Sequence, residues 1–291
     1  MTKLEEHYNK FNEDKRLERR HGQVEYRTTM KYIHDCLGKL GKAQAKKSLK
    51  ILEIGAGTGA YSLALAKEGY DVTAVELVRY NLGIMKLHAR QYLEQLERGE
   101  NTDKNSHNGD FCFQAYQGNA LKLKRFADET FDLTLLFGPM YHLYTREEKI
   151  QALREARRVT KKGGYIMVAY LMNEYCVLTY AFKEGHVAEC LANGSLDDLY
   201  KCHSNEEMLY DYVRLEEIAD FNANAGLQRV KLISADGAAD YMRAELKEMD
   251  EDTFEKFMEY HLLTCERPEL LGACAHTVDI LKREDGLETM G

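Results

Sequence analysis

A short stretch near residue 50 limits the possible folds more than any other part of the chain. Leu49 to Ile54 is an apolar run that reads as a buried strand. It breaks into Gly55-Ala56-Gly57-Thr58-Gly59, and a helical pattern then runs from Tyr61 to Lys67. Strand, glycine turn and helix in that order bring backbone N–H groups up to a ligand, because glycine has no Cβ to block a tight turn or a close approach. About twenty residues further on, a second strand from Asp71 to Leu77 ends in Val75-Glu76-Leu77, where a carboxylate can accept both hydroxyls of a ribose. By themselves these features define a nucleotide-like cofactor in a Rossmann-type sheet. Ala60 also satisfies the relaxed dinucleotide fingerprint, so the loop alone leaves an NAD(P)-dependent oxidoreductase open.

The rest of the chain keeps the same rhythm. A long helix is expected from about Arg79 to Glu97, a polar loop from Gly99 to Asp110, and strands at Phe111 to Gln117 and Phe131 to Phe137. Thr145 with Glu148 forms a capping box opening a helix to Val159, Lys161-Lys162-Gly163-Gly164 stops it, and Tyr165 to Leu171 is a fifth strand. Ser204 with Glu207 is expected to cap a helix ending near Gly226. Leu227 to Ser234 and His276 to Lys282 complete the strands. The expected fold is α/β: a doubly wound, mostly parallel, seven-stranded sheet with a helical N-terminal region and helical insertions. As one domain over 1–291, it divides into an N-terminal helical cap (1–45), a cofactor-binding half (46–172), a helical insertion on the acceptor side (173–205), and a C-terminal half (206–291). That last part carries a second helical insertion at about 238–266. A lysine-rich connector from Gly41 to Lys50 separates the cap from the sheet.

Composition narrows the partners. The formal net charge of -8 disfavours nucleic acid, whose phosphates need a basic face. Arg16 to Arg20 is basic but diluted by Glu18, and reads as a solvated helix face. No apolar run reaches membrane-spanning length, and the opening residues lack a signal peptide's apolar region. The seven scattered cysteines suit reduced thiols, so the expected compartment is cytoplasmic. Sequence leaves the oligomeric state open.

Four motifs in order resemble the class I S-adenosylmethionine-dependent methyltransferases. They are Ile51 to Gly59, Gly118-Asn119-Ala120, Phe131 to Leu143, and Glu155 to Gly164. The later ones have no counterpart in the dehydrogenase fingerprint. The resemblance implies S-adenosyl-L-methionine as cofactor and a role for each matched position. Gly55, Ala56, Gly57, Thr58 and Gly59 would hold the methionine end, supported by Glu53. Glu76 would take the ribose hydroxyls and Leu77 would pack on adenine. Asn119 and Ala120 would edge the adenine, with Asn119 standing where many relatives carry Asp. Phe137 and Gly138, with the residues up to His142, would floor the site beside the sulfonium.

The transferred methyl sits on a positively charged sulfur, so the protein's task is to align a nucleophile with the S–CH₃ bond and exclude water. His142 and Tyr141 follow a strand's carboxyl end and are the candidate catalytic pair, with His142 a general base or an orienting group. Tyr8 and Tyr26 are candidates to cap the cofactor or stack on the acceptor. The N-terminal helices and residues 173–203 are candidates for closure. His186, Cys190, Cys202 and His203 match no metal-ligand spacing well, and no metal is expected. Lys247 to Glu259 reads as an amphipathic helix packed on its own domain rather than an oligomer contact. The expected function is methyl transfer to a small-molecule acceptor. An oxidoreductase and a non-catalytic cofactor-binding protein are the alternatives.

Overall fold

The structure, a computed structural model, describes residues 3–10, 17–41, 48–99 and 111–284. Most of the lysine-rich connector, Arg16, and most of the polar tract before Phe111 lie outside the described residues. Seven strands form one sheet: β1 (Lys50–Ile54), β2 (Asp71–Glu76), β3 (Cys112–Gln117), β4 (Phe131–Leu136), β5 (Thr160–Leu171), β6 (Gln228–Ser234) and β7 (His276–Lys282). Their order is β3-β2-β1-β4-β5-β7-β6. The first five pair in parallel, whereas β7 runs antiparallel to both β5 and β6. This departs from the dinucleotide-binding order 3-2-1-4-5-6 by one reversed strand between the fifth and sixth positions.

Helices cover both faces. α1 (Lys3–Lys10), α2 (Arg20–Leu40), α3 (Ala60–Lys67) and α4 (Arg79–Glu97) precede α5 (Arg146–Val159). Adjacent residues of the central strands bury toward opposite faces, as a pleated strand requires. Ile51, Leu133 and Leu135 pack with Ile33 and Leu37 of α2 and Leu65 of α3. Leu52, Ile54 and Leu136 pack on the other face with Leu153 and Ala156 of α5. All six residues of β4 are buried, as expected for a parallel strand covered on both sides. The α5 capping box is present: Thr145 Oγ1 accepts from the Glu148 N–H at 3.2 Å, and the Glu148 carboxylate accepts from the Thr145 N–H at 3.1 Å.

Three expectations are corrected. Lys161 to Gly164 does not separate helix from strand. β5 begins at Thr160, directly after α5, and the glycines instead carry a register shift opposite Phe131 and Leu133. Gly163 takes φ +76° there, a left-handed conformation that glycine adopts without strain.

The helix placed at Ser204 begins only at Leu215, as α8 (Leu215–Ala225) after the short α6 (Asn173–Cys176) and α7 (Val187–Ala192). Asn205 Oδ1 takes the Glu207 N–H at 2.8 Å, a local turn that competes with helix. The following chain is held extended, because the Asp211 N–H donates to the Tyr141 carbonyl and the Val213 N–H to the Leu171 carbonyl. The third correction concerns the charged stretch after Met242. It is two helices, α9 (Arg243–Glu248) and α10 (Glu251–Thr264), the second capped by Asp250 accepting from the Thr253 N–H. Phe254 and Met258 of α10 pack on Val24 of α2. Among the described residues no helix is long and apolar enough to cross a membrane.

Candidate active site

The parallel strands end at a cleft of about 300 Å³, within the size range of small-molecule sites. Its near wall is the turn after β1. The Gly55 N–H donates to the Val75 carbonyl at 2.8 Å, tying the turn to the end of β2. Gly55 has φ +74°, and a Cβ on it would fall 2.5 Å from Pro139 Cδ; one on Gly138 would fall 2.9 Å from the Gly55 oxygen. The ends of β1 and β4 therefore meet backbone to backbone, which only two side-chain-free residues permit.

Glu76, at the last position of β2, is buried and bridges both walls. One carboxylate oxygen accepts from the Gly57 N–H at 2.7 Å and the other from the Val78 N–H at 2.8 Å. Such charge-assisted bonds fix the carboxylate's orientation. Glu53 is also buried on this wall and accepts from the Ser62 hydroxyl. Burial pushes its carboxyl up to about 7, even though the Ser62 bonds favour the ionised form, and the Glu76 charge adds to the rise.

Glu53, Gly55, Ala56, Gly57, Thr58, Glu76, Leu77, Asn119, Ala120, Phe137 and Gly138 all line the cleft, as do Tyr141 and His142. Gly59 does not. With φ +95° it turns into α3, where a Cβ would fall 2.7 Å from Met85 Cγ. Leu77 offers an exposed apolar face, and Asn119 Oδ1 accepts from the Leu121 N–H at 2.9 Å, closing its own turn.

The cleft is also rich in aromatic rings. Tyr8, Tyr61, Phe137, Tyr141, His142 and Tyr144 line it. Ring centroids lie 4.9 Å apart for Tyr141 and His142, 5.3 Å for Tyr61 and Phe137, and 5.8 Å for Tyr8 and His142. Behind them Tyr210 sits 5.4 Å from His142. His142 Nδ1 lies 2.8 Å from the Leu209 carbonyl oxygen, and Nε2 lies 3.1 Å from the Tyr8 hydroxyl. A carbonyl only accepts, so Nδ1 carries the proton and Nε2 accepts from Tyr8. Burial lowers this imidazole to about 4, the Leu209 bond opposing the shift and nearby His7 adding to it. His142 is thus a neutral acceptor with both nitrogens engaged.

Tyr26 stands behind the wall, stacked on Tyr61 at 5.2 Å. Of the two segments considered for closure, the N-terminal region reaches the cleft through Leu4, Tyr8 and Leu17, and the chain beyond the insertion reaches it through Glu206. No residue of 173–205 is in the described lining. Asn81 and Tyr144 also line the cleft and escaped the sequence reading. Asn81 lies in the first turn of α4, so counting on from Leu77 would have found it. Tyr144 carried no signal beyond its nearness to His142.

Among the described residues no group of three or more His, Cys, Asp or Glu side chains is placed to hold a metal. His186 stacks on Tyr180, His203 pairs with Asp197 at 2.9 Å, and Cys190 and Cys202 are buried in a small apolar cluster.

Sheet order, glycine turn and the acidic end of β2 together define a Rossmann-like cofactor-binding protein. Residues 52–168 match the family model of a methyltransferase domain. No curated protein matches the chain in sequence. Among solved structures it is similar to a SAM-dependent methyltransferase from Methanosarcina mazei, at 16% identity over 88% of this chain and 98% of that one, with a TM-score of 0.55. It is also similar to geranyl diphosphate C-methyltransferase from Streptomyces coelicolor (14% identity, 89% and 80% coverage, TM-score 0.53). Magnesium protoporphyrin IX methyltransferase from Synechocystis matches at 11% identity, 90% and 84% coverage, TM-score 0.53. Residues 52–168 thus match a methyltransferase domain, and the chain shares the fold of solved S-adenosylmethionine-dependent methyltransferases.

Proposed function

We propose that this protein transfers a methyl group from S-adenosyl-L-methionine directly to a small-molecule acceptor. The observation that carries the reading is Glu76, held by the Gly57 and Val78 N–H groups at the wall of an open cleft. In this reading Glu76 accepts the ribose hydroxyls and Leu77 covers adenine beside Asn119 and Ala120. The turn from Gly55 to Thr58 meets the methionine end, whose ammonium faces Glu53. Phe137 and Gly138 form the floor under the sulfonium. Gly59 serves by packing α3 rather than by touching the ligand.

The chemistry then needs alignment more than acid–base work. The acceptor's lone pair attacks the methyl carbon, the C–S bond breaks toward sulfur, and a neutral thioether leaves. Holding the partners in line contributes up to ~7–11 kcal/mol in favourable systems. Tyr8 and His142 close the acceptor end: His142 orients the Tyr8 hydroxyl, which is the polar group presented to the acceptor, and Tyr141 forms the adjoining wall. Leu4, Leu17 and Tyr8 exclude water, which makes the N-terminal region the closing element.

Titration calorimetry with S-adenosylhomocysteine and with NADH separates this reading from an oxidoreductase. The thioether is expected to bind and NADH is not; the reverse would overturn the assignment. Methyl-labelled cofactor offered with a panel of acceptors then separates an enzyme from a non-catalytic binder, which would never label an acceptor.

A further inference from the structure

We propose that the acceptor is an amine, bound with its nitrogen against the tyrosine-lined end of the cleft. The proposal rests on the methyl-transfer reading and names the substrate class of that site. Four tyrosines and Phe137 line the cleft, and their ring faces carry partial negative charge that attracts a cation. The carboxylates of Glu148 and Glu206 line it as well, and no Lys or Arg is among the described lining residues. Lys149 is buried and lies outside the described lining, 2.6 Å from Asp211 and also bonded to the Leu143 carbonyl. Arg146 is committed to Asp220 at 2.6 Å. Among the described residues a carboxylate or phosphate acceptor would therefore meet ring faces and acidic groups with no cation to receive it, whereas an amine meets groups of complementary sign.

The protonic arrangement points the same way. A hydroxyl acceptor must surrender its proton as the methyl arrives, and His142 has both nitrogens occupied, by the Leu209 carbonyl and the Tyr8 hydroxyl. An amine drawn in as its ammonium first gives one proton to solvent, and the neutral amine then needs no such partner as the methyl arrives. Its lone pair forms the N–C bond, the S–C electron pair stays on sulfur, and the positive charge moves from sulfur to nitrogen within the same ring-lined space. The N–H proton leaves afterwards to solvent. While the amine waits, the Tyr8 oxygen can accept one of its N–H bonds and turn the lone pair toward the methyl carbon.

The test uses the full chain loaded with S-adenosylhomocysteine and three probes of similar shape: benzyltrimethylammonium, its uncharged carbon isostere neopentylbenzene, and phenylacetate. Binding is read by competition and by tyrosine fluorescence. The ammonium probe is expected to bind at least about tenfold more tightly than either other probe. That preference should shrink in Tyr141→Leu and in Glu206→Gln, the second of which alters only an exposed side chain. Equal binding of the three probes, tighter binding of phenylacetate, or no binding of the ammonium probe to a protein that does bind the thioether would overturn the amine assignment. Failure to bind the thioether at all would instead defeat the methyl-transfer reading beneath it.

Discussion

The two ends of the cleft are built on different principles. The end proposed for the cofactor is built by neighbours close in sequence: Gly55, Gly57, Glu76 and Val78 come from two adjacent parallel strands and the turns that follow them, with backbone N–H groups holding the Glu76 carboxylate. The end proposed for the acceptor joins distant parts of the chain, since the Tyr8 hydroxyl and the Leu209 carbonyl meet at His142 across 201 positions of sequence. Backbone geometry recognises what all such cofactors share, and a wall of side chains can be exchanged without disturbing it. One sheet can therefore keep its cofactor while its acceptor changes.

Several measurements would break or sharpen that contrast. Glu76→Ala carries the largest expected effect: it removes the ribose acceptor and releases the Gly57 and Val78 amides. Bonds to a charged group are worth about 1.5–3 kcal/mol each, so thioether affinity by calorimetry should fall at least about a hundredfold. Tyr8→Phe and His142→Ala should lower the methyl-transfer rate by about a hundredfold, the scale of a lost alignment. Cofactor affinity should stay within about threefold in both. A parallel collapse of cofactor binding would erase the division between the ends.

Gly138→Ala should lower stability by about 1–3 kcal/mol, read as a drop in thermal midpoint, because its Cβ would fall 2.9 Å from the Gly55 oxygen.

Protons give the smallest and most discriminating signal. Glu53 holds its proton in the folded protein up to about 7, above its ordinary 4.5. That proton favours folding at low pH, and the contribution is lost as pH rises through 7. A ligand ammonium beside Glu53 lowers its pKa, so thioether binding near pH 6.5–7 should release a fraction of a proton, measured by calorimetry in buffers of different ionisation heat. Glu53→Gln should abolish the release. His142, lowered to about 4, is neutral throughout that range and should contribute nothing. Release that persists in Glu53→Gln would move the titrating group elsewhere.

The contrast also explains what the sequence revealed. The strands and the glycine turn were legible because periodicity and glycine spacing are local: β4 is rich in apolar residues and proves buried on both faces. The position of Glu76 beside the glycine turn was legible because it ends a strand whose partner is sequentially near. Ser204 failed as a helix cap because long-range bonds to the Tyr141 and Leu171 carbonyls outweigh the local pattern. Gly59 looked like a ligand contact because spacing cannot tell a glycine that faces a cleft from one that packs under Met85. His142 was visible as a residue beyond β4, yet its neutral state depends on Tyr8 and Leu209, which no local pattern announces. The insertion at 173–205 was a reasonable candidate for closure by position, whereas Leu4, Tyr8 and Leu17 reach the cleft instead.

A crystal structure of the complex with S-adenosylhomocysteine tests the central claim most directly. The account predicts both ribose hydroxyls within hydrogen-bonding distance of Glu76, the amino-acid end along Gly55 to Thr58, and the sulfur facing Phe137 and the Tyr8–His142 pair. A thioether bound elsewhere, or in this cleft with its ribose turned away from Glu76, would contradict it.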